Sequence, residues 1–327
     1  MKQIIILIPH GVQTGGPEAL HQLSDSLLRQ GHDARVWYVL PSDLPELDGL
    51  LRNNGLGEGI ALGIQPRPNT VADYAKYRTR LADQIVMGPD TCVVLAETYV
   101  HWLRYFHTCK PMVWWLSVDN AFEFLSVQKV NLNSLRSERV LHGYQSGYAH
   151  QVIQALGFKR TVPLSDYTPG TAEPLPMPKT GIALNANHKV LYDVGSIAAQ
   201  LEARCQTKVH LIRAMSRAQV YEALNSSKLF IDLGTFPGKD RLAREALLRN
   251  CCVFALDVGA ARDYKLPEEC YFKPDQVDPV LAGAQQLMQQ YELYLDLSLP
   301  ARQAVLRERM IFEREVAGLA HAFEVVA

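Results

Sequence analysis

The chain has no stretch approaching the roughly 18 continuous apolar residues that a membrane span requires, no C-x-x-C pair among its six cysteines, and no excess of either charge. Thirty-three Lys and Arg stand against 34 Asp and Glu, a formal net charge of -1. That balance leaves no electrostatic footprint for non-specific nucleic-acid binding, so no stable nucleic-acid partner is expected. Cys92, Cys109, Cys205, Cys251, Cys252 and Cys270 fall mostly in expected strands and helices and read as reduced core residues of a cytoplasmic protein. A redox role for the adjacent Cys251 and Cys252 is the weaker alternative. Zinc-ligand spacing, the P-loop, G-x-S-x-G, kinase signatures and G-x-G-x-x-G are all missing, as is a D-x-D that could hold a divalent ion on a sugar diphosphate. Neither a metal nor a resident cofactor is expected. The apolar start, Met1 to Pro9, is too short for a secretory h-region and leads into a Gly-rich loop, so it reads as a buried strand.

What is present is an α/β alternation. With 327 residues, 48% of them hydrophobic and 20% charged, the chain suits a folded protein with more than one core. Hydrophobic periodicity predicts a strand at 3–8, a helix at 17–30 with a Leu20, Leu23, Leu27, Leu28 stripe ended by Gly31, and a strand at 34–39. Residues 41–67 read as a surface loop or small excursion, followed by a helix at about 71–86 and strands at 91–96 and 112–116. Trp114 and Trp115 fall inside the last of these and are assigned to the core. A strand at 138–145, a helix at 147–156 and a short segment at 161–164 complete the half.

Residues 168–180 hold four prolines without periodicity and read as a linker. Beyond it lie a strand at 181–185, a helix at 190–203, a strand at 208–212 and a helix at 217–225, and two long helical patterns at 279–295 and 300–325 end the chain. Two α/β halves around a Pro-rich hinge imply Rossmann-like domains facing a central cleft, over 1–167 and 181–300, with the helix of 301–327 crossing back onto the first.

The second half is organised around residues 226–261. A strand (228–233) runs into the loop Gly234-Thr235-Phe236-Pro237-Gly238, then a helix at about 240–249 and a strand at 251–256. Such a loop is where open α/β sheets take phosphates, because helix N–H groups and the positive dipole end face it. Lys239, Arg241 and Arg244 crowd that helix start, where the dipole disfavours cations by about 0.3–1 kcal/mol each. A bound diphosphate would reverse the sign. The competing reading has Asp240 capping the helix, the cations in solvent, and Arg241 paired with Glu245 one turn on.

Other candidates sit on the same kind of edge. Lys189, after the first strand of the second half, would converge with Gly238 and Arg241 on one diphosphate, while Glu245 would reach ribose hydroxyls. His10 ends the first strand and is a candidate base or sugar-hydroxyl donor, with a structural role as the other reading. The loop from His10 to Glu18 is glycine-rich, which would let a ligand approach the backbone, or would merely make a tight βα turn, with Pro17 at the first helical position. Asp119, beyond the strand ending at Leu116, is a candidate for acid/base or hydroxyl-binding work, or a helix N-cap.

Two segments carry a family resemblance. GGPEALHQLSDSLLRQGHDARVWYV (Gly15–Val39) and SKLFIDLGTFPGKDRLAREALLRNCCVFALDVGAA (Ser227–Ala261), with Arg244-Glu245-Ala246 as a Glu-Ala core, are similar to GT-B fold glycosyltransferases of the retaining nucleotide-sugar branch. WWLSVDN (Trp114–Asn120) and NANHK (Asn185–Lys189) resemble a sparsely characterised bacterial and phage subgroup of it. The resemblance implies a metal-independent enzyme that takes a nucleoside diphosphate sugar, UDP- or GDP-linked, as co-substrate. Its acceptor would be a glycan, a lipid-linked glycan or another small molecule, and self-association stays open. It further implies that Lys189, Gly238, Lys239 and Arg241 hold the diphosphate, that Glu245 binds ribose, that Gly259 belongs to the donor region, and that Gly15 and Gly16 face the donor from the other domain. One position departs from the pattern. The family carries a Glu eight residues before the Glu of Glu-Ala, against the transferred sugar, and here that residue is Pro237. Asp240, Asp119 and His10 are therefore the tentative catalytic candidates. Rival readings are a nucleotide-sugar-binding protein without turnover, a nicotinamide-dependent oxidoreductase, disfavoured by the missing G-x-G-x-x-G, and a phage-type nucleic-acid base glucosyltransferase, weakened by the neutral charge.

Overall fold

The computed structural model describes residues 3–127, 130–170, 178–187 and 192–324. The chain divides into two compact units, Met1–Asp166 with Met310–Ala327, and Tyr167–Arg309.

In the first unit the chain runs β1 (Gln3–Pro9), α1 (Gly15–Arg29), β2 (Ala34–Val39), α2 (Leu44–Arg52), β3 (Ala61–Gly63), β4 (Gln84–Val86), β5 (Thr91–Ala96) and β6 (Lys110–Trp115). It continues through α3 (Val118–Val127), α4 (Leu132–Leu135), β7 (Leu141–Tyr144), α5 (Gly147–Ala155) and β8 (Thr161–Pro163). Six strands form one parallel sheet in the order β2-β1-β5-β6-β7-β8, and β3 and β4 make a separate antiparallel pair. The apolar runs of β1, β5 and β6 are buried along nearly their whole length, as parallel strands covered on both faces must be. Trp114 and Trp115 are fully buried; their indole N–H groups donate to the Leu164 carbonyl at 2.7 Å and to His142 Nδ1 at 3.1 Å.

The second unit comprises β9 (Gly181–Asn185), α6 (Val194–Cys205), β10 (Val209–Ile212), α7 (Arg217–Ser226), β11 (Ser227–Asp232), α8 (Arg241–Leu248), β12 (Cys252–Leu256), β13 (Tyr271–Phe272), α9 (Val277–Gln289), α10 (Tyr291–Leu297) and the start of α11 (Leu299–Glu324). Its parallel sheet has the order β10-β9-β11-β12-β13. Asp193 caps α6, accepting from the Gly195 and Ser196 N–H groups, so the helix starts later than periodicity alone places it. The later turns of α11 pack within the first unit, where Glu313 accepts from Ser26 and Arg29, and Glu315 from Ser165. All six cysteines are free thiols, and all but Cys205 are buried.

One expectation fails here. Residues 41–67 make a small excursion containing α2 and β3, the second of the two readings given for them, but the helix expected at 71–86 does not form. Its residues are held by longer-range partners instead. Tyr74 packs on His21 with ring centroids 4.5 Å apart, and Tyr77 donates to Glu18 at 2.7 Å. Val36 of β2 exchanges backbone bonds with Arg80 and Ala82, and Gln84–Val86 pairs with β3. Sheet-edge hydrogen bonds and two aromatic anchors outweigh a helical preference worth a few tenths of a kcal/mol per residue. Residues 277–324 hold three helices rather than two, with breaks at Gln290 and Ser298.

Burial makes one pH effect calculable. His142 has no exposed surface, its Nε2 bonds to the Leu135 carbonyl at 2.9 Å and its ring stacks on Phe158; burial lowers its pKa to about 4. The unfolded chain takes up a proton near pH 6.5 that the folded chain refuses until about pH 4. Folding stability is therefore whole above pH 6.5 and is lost as pH falls toward 4, by roughly 3 kcal/mol for a shift of this size. Urea denaturation at pH 7.5 and pH 4.5 should show that loss shrinking in His142→Gln; an equal loss in both proteins would refute the assignment.

Candidate functional site

Each large sheet reverses its strand order once. Chain order turns back between β9 and β11 in the second unit and between β1 and β5 in the first. The carboxyl ends of the strands at such a reversal are where open parallel sheets leave a crevice for ligands.

In the second unit, the loop between β11 and α8 borders that reversal and is built to hold one shape. Asp232 accepts from the Gly234 N–H at 2.9 Å, and buried Phe236 adopts a left-handed φ of 45°. The turn after β12 closes on it from behind. Gly259, at φ 54°, lies so near the loop that an added Cβ would stand 2.2 Å from the Phe236 carbonyl oxygen and 2.6 Å from that of Thr235. The Ala260 N–H donates to the Phe236 carbonyl at 2.8 Å, and the Tyr264 hydroxyl accepts from the Asp240 N–H at 2.7 Å, its ring edge-on to Phe236. Gly259, read as a donor contact, thus has a visible structural task as well. Gly238 is buried in the same loop, and Asp240 occupies the N-cap position of α8 without a side-chain capping bond.

The cations at the start of α8 are not left to solvent, nor do they wait only for a ligand. Glu308 on α11 bonds Lys239 Nζ through Oε1 at 3.1 Å and Arg244 Nη1 through Oε2 at 3.0 Å, and Oε2 also accepts from the Thr168 N–H. Arg244 is completely buried and donates to the carbonyls of Lys239 and Asp240, which pins the loop into the helix start. An internal carboxylate therefore answers much of the unfavourable dipole placement. Arg241 and Lys239 keep partial exposure at the helix mouth.

Glu245, which the competing reading pairs with Arg241, takes its contacts from α7. Buried Glu245 meets Arg217 Nη2 and the Tyr221 hydroxyl, each 3.4 Å from Oε1. Arg217 Nε donates to the Tyr221 oxygen at 2.7 Å, and the Arg249 guanidinium lies 3.5 Å over the Tyr221 ring. Packing of α7 beside α8 brings a cation from 28 residues away into the place that helical spacing assigns to a neighbour one turn off.

In the first unit, His10 follows β1 with its ring edge-on to Tyr38, and α1 opens at Gly15 and Gly16, so Pro17 is its third residue rather than its first. Asp119 stands in the first turn of α3, where a carboxylate suits the dipole, and accepts from the Tyr148 hydroxyl at 2.6 Å. Burial first, and then that bond, raise the Tyr148 pKa to about 12. Lys189 lies outside the described residues, as does 171–177 of the expected linker.

Four residues that the sequence does not single out belong to these edges. Glu97, after β5, is buried, accepts from the Leu116 N–H at 3.0 Å, and has its pKa pushed up to about 7 by desolvation. Glu308, Arg217 and Tyr221 join it. The only sequence signal for Arg217 is a cation at a helix start, the same signal that marks Lys239 and Arg241. Among the described residues no three His, Cys, Asp or Glu side chains gather as metal ligands would, and no helix is long and apolar enough to cross a membrane.

No family model and no curated protein matches this sequence. Solved structures do match its fold. The pneumococcal O-GlcNAc transferase GtfA, solved with UDP and GlcNAc, aligns with a TM-score of 0.68 at 9% identity over 99% of both chains. TarM of S. aureus aligns at 0.67 with 8% identity over 99% of both chains. HepE of Anabaena, in complex with UDP-glucose, aligns at 0.64 with 10% identity, over 98% of this chain and 99% of that one. The chain has the GT-B fold, with its parallel sheets matched along nearly the full length.

Proposed function

We propose that this GT-B protein is a glycosyltransferase that takes its sugar from a nucleoside diphosphate sugar and needs no metal ion. The observation that carries the reading is the anchored Gly234–Asp240 loop at the strand-order reversal of the second unit, with Lys239 and Arg241 at the mouth of α8. Backbone N–H groups, a helix dipole and two cations suit a diphosphate that gains charge as it leaves. In the reaction the bond from the anomeric carbon to the diphosphate oxygen breaks and a bond from an acceptor oxygen to that carbon forms. The acceptor proton passes to a base, for which Asp119, His10 and Asp240 are the candidates, and the nucleoside diphosphate departs. Rigid donor loops favour this by holding charge where it develops, with little reorganisation. UDP is the first nucleotide to test, since GtfA and HepE are solved with UDP or UDP-glucose.

Arg241→Ala and Lys189→Ala should each lower release of UDP from UDP-glucose or UDP-GlcNAc by about 100-fold, the size of effect typical of one removed electrostatic donor, with melting curves unchanged. Wild-type turnover in both variants would remove the diphosphate site. Pro237 in place of the expected carboxylate favours one alternative, a nucleotide-sugar-binding protein without turnover. Calorimetric UDP binding with no transfer over a broad acceptor panel would select it.

A further inference from the structure

We propose that Arg217 and Tyr221 of α7 are positioning residues that aim the Glu245 carboxylate at the ribose hydroxyls of the bound nucleotide and so set the preference for ribose over deoxyribose. The inference rests on the nucleotide-sugar reading of the site and adds the part of the protein that orients its carboxylate.

Four observations converge. Arg217 and Tyr221 are four residues apart on α7 and so share one face, and both address the same oxygen, Glu245 Oε1. Arg217 Nε holds the Tyr221 oxygen at 2.7 Å, which directs the phenolic proton toward Glu245. Arg249 fixes the ring from one face at 3.5 Å, and its Nη1 donates to the Glu245 backbone carbonyl at 3.1 Å, so the helix turn bearing the carboxylate and the ring beside it move together. Both contacts to Oε1 are 3.4 Å, the outer limit of hydrogen bonding. They fix direction at little energetic cost to a stronger bond, and neither occupies Oε2. A buried carboxylate with one oxygen steered and the other without a hydrogen-bond partner among the described residues is suited to accept from a pair of vicinal hydroxyls. A purely structural ion pair would be expected to close to normal length and to use both oxygens. The placement of Arg217 at the first position of α7 is unfavourable for the helix itself, and Glu245 is a partner that offsets it.

The test compares equilibrium dissociation constants of UDP, GDP and ADP with those of their 2′-deoxy counterparts, by calorimetry on the full chain. For the nucleotide that binds, the wild type should prefer the ribose form by about tenfold, the worth of one hydrogen bond to a charged group. Tyr221→Phe keeps the ring under Arg249 and removes only the hydroxyl; Arg217→Gln removes the charge. Each should shrink the ribose preference at least threefold while leaving deoxynucleotide affinity unchanged, and Glu245→Gln should bring it near unity. A preference unaltered in both α7 variants, or a loss shared equally by ribose and deoxyribose forms, overturns the positioning role while the nucleotide site stands. Absence of binding by all three ribonucleotides to the wild type overturns the nucleotide-sugar reading itself, and the positioning role with it.

Discussion

Arg244→Ala should lower the melting temperature more than the loss of any other single charge in the second unit. The guanidinium is fully buried, holds two loop carbonyls, and shares Glu308 with Lys239. Removing it leaves a nearly buried carboxylate with one partner fewer and takes one donor from each of two carbonyls, of which that of Asp240 keeps the Tyr264 hydroxyl at 3.3 Å. Breaking a buried pair from one side costs about 3–5 kcal/mol, which corresponds to roughly 6–20 °C for a unit of this size. Lys239→Ala should cost less, because the Lys239 side chain retains more contact with water than Arg244 does. Glu308→Leu combined with Arg244→Met should recover part of the loss, since it removes both buried charges together, and only part, because Lys239 then lacks its carboxylate. Thermal denaturation followed by circular dichroism decides the matter. A single variant that melts like the wild type would show that the triad contributes no net stability.

Gly259→Ala should damage both stability and nucleotide binding. The new methyl carbon would fall 2.2 Å from one backbone oxygen and 2.6 Å from another, and neither can swing aside as a side chain could. The residue also needs φ 54°, which alanine adopts at a cost. Relief requires the Thr235–Phe236 segment to move, and that segment leads directly to Gly238 and Lys239. A destabilisation of about 3 kcal/mol or more is expected, with weaker UDP binding even at temperatures where the variant is folded. Gly49→Ala is the control: it lies inside α2, an added Cβ meets nothing within 4 Å, and the change should be neutral or slightly stabilising. Equal melting temperatures and equal UDP affinity for Gly259→Ala and the wild type would show that the turn after β12 does not brace the loop.

The elements legible in the sequence are those whose signal is local. The apolar run of β1, the leucine stripe of α1 and the strand–loop–helix–strand of β11 to β12 repeat at the spacing of one element, and their ends carry recognisable breakers. Residues 71–86 do not form a helix because their helical look is local while their partners, Val36, His21 and Glu18, lie 44 to 59 residues earlier. The candidate site divides the same way. The crowding of Lys239, Arg241 and Arg244 at a helix start was visible as a local conflict with the dipole. Its answer, Glu308, is 64 residues from Arg244, and nothing in the last helix's own pattern distinguishes it.

By itself, the sequence determined the α/β alternation, the likeness to the GT-B fold and the loop where phosphate chemistry would be placed, because hydrophobic period, turn residues and charge at helix ends act over a few residues. Tertiary structure alone decided which oppositely charged groups meet. It gave Glu308 to Lys239 and Arg244, Arg217 and Tyr221 to Glu245, and the Phe236 carbonyl to the turn at Gly259. The physical reason is that ion pairing and close backbone approach depend on separation in space, and packing of α7, α8 and α11 sets that separation independently of spacing along the chain.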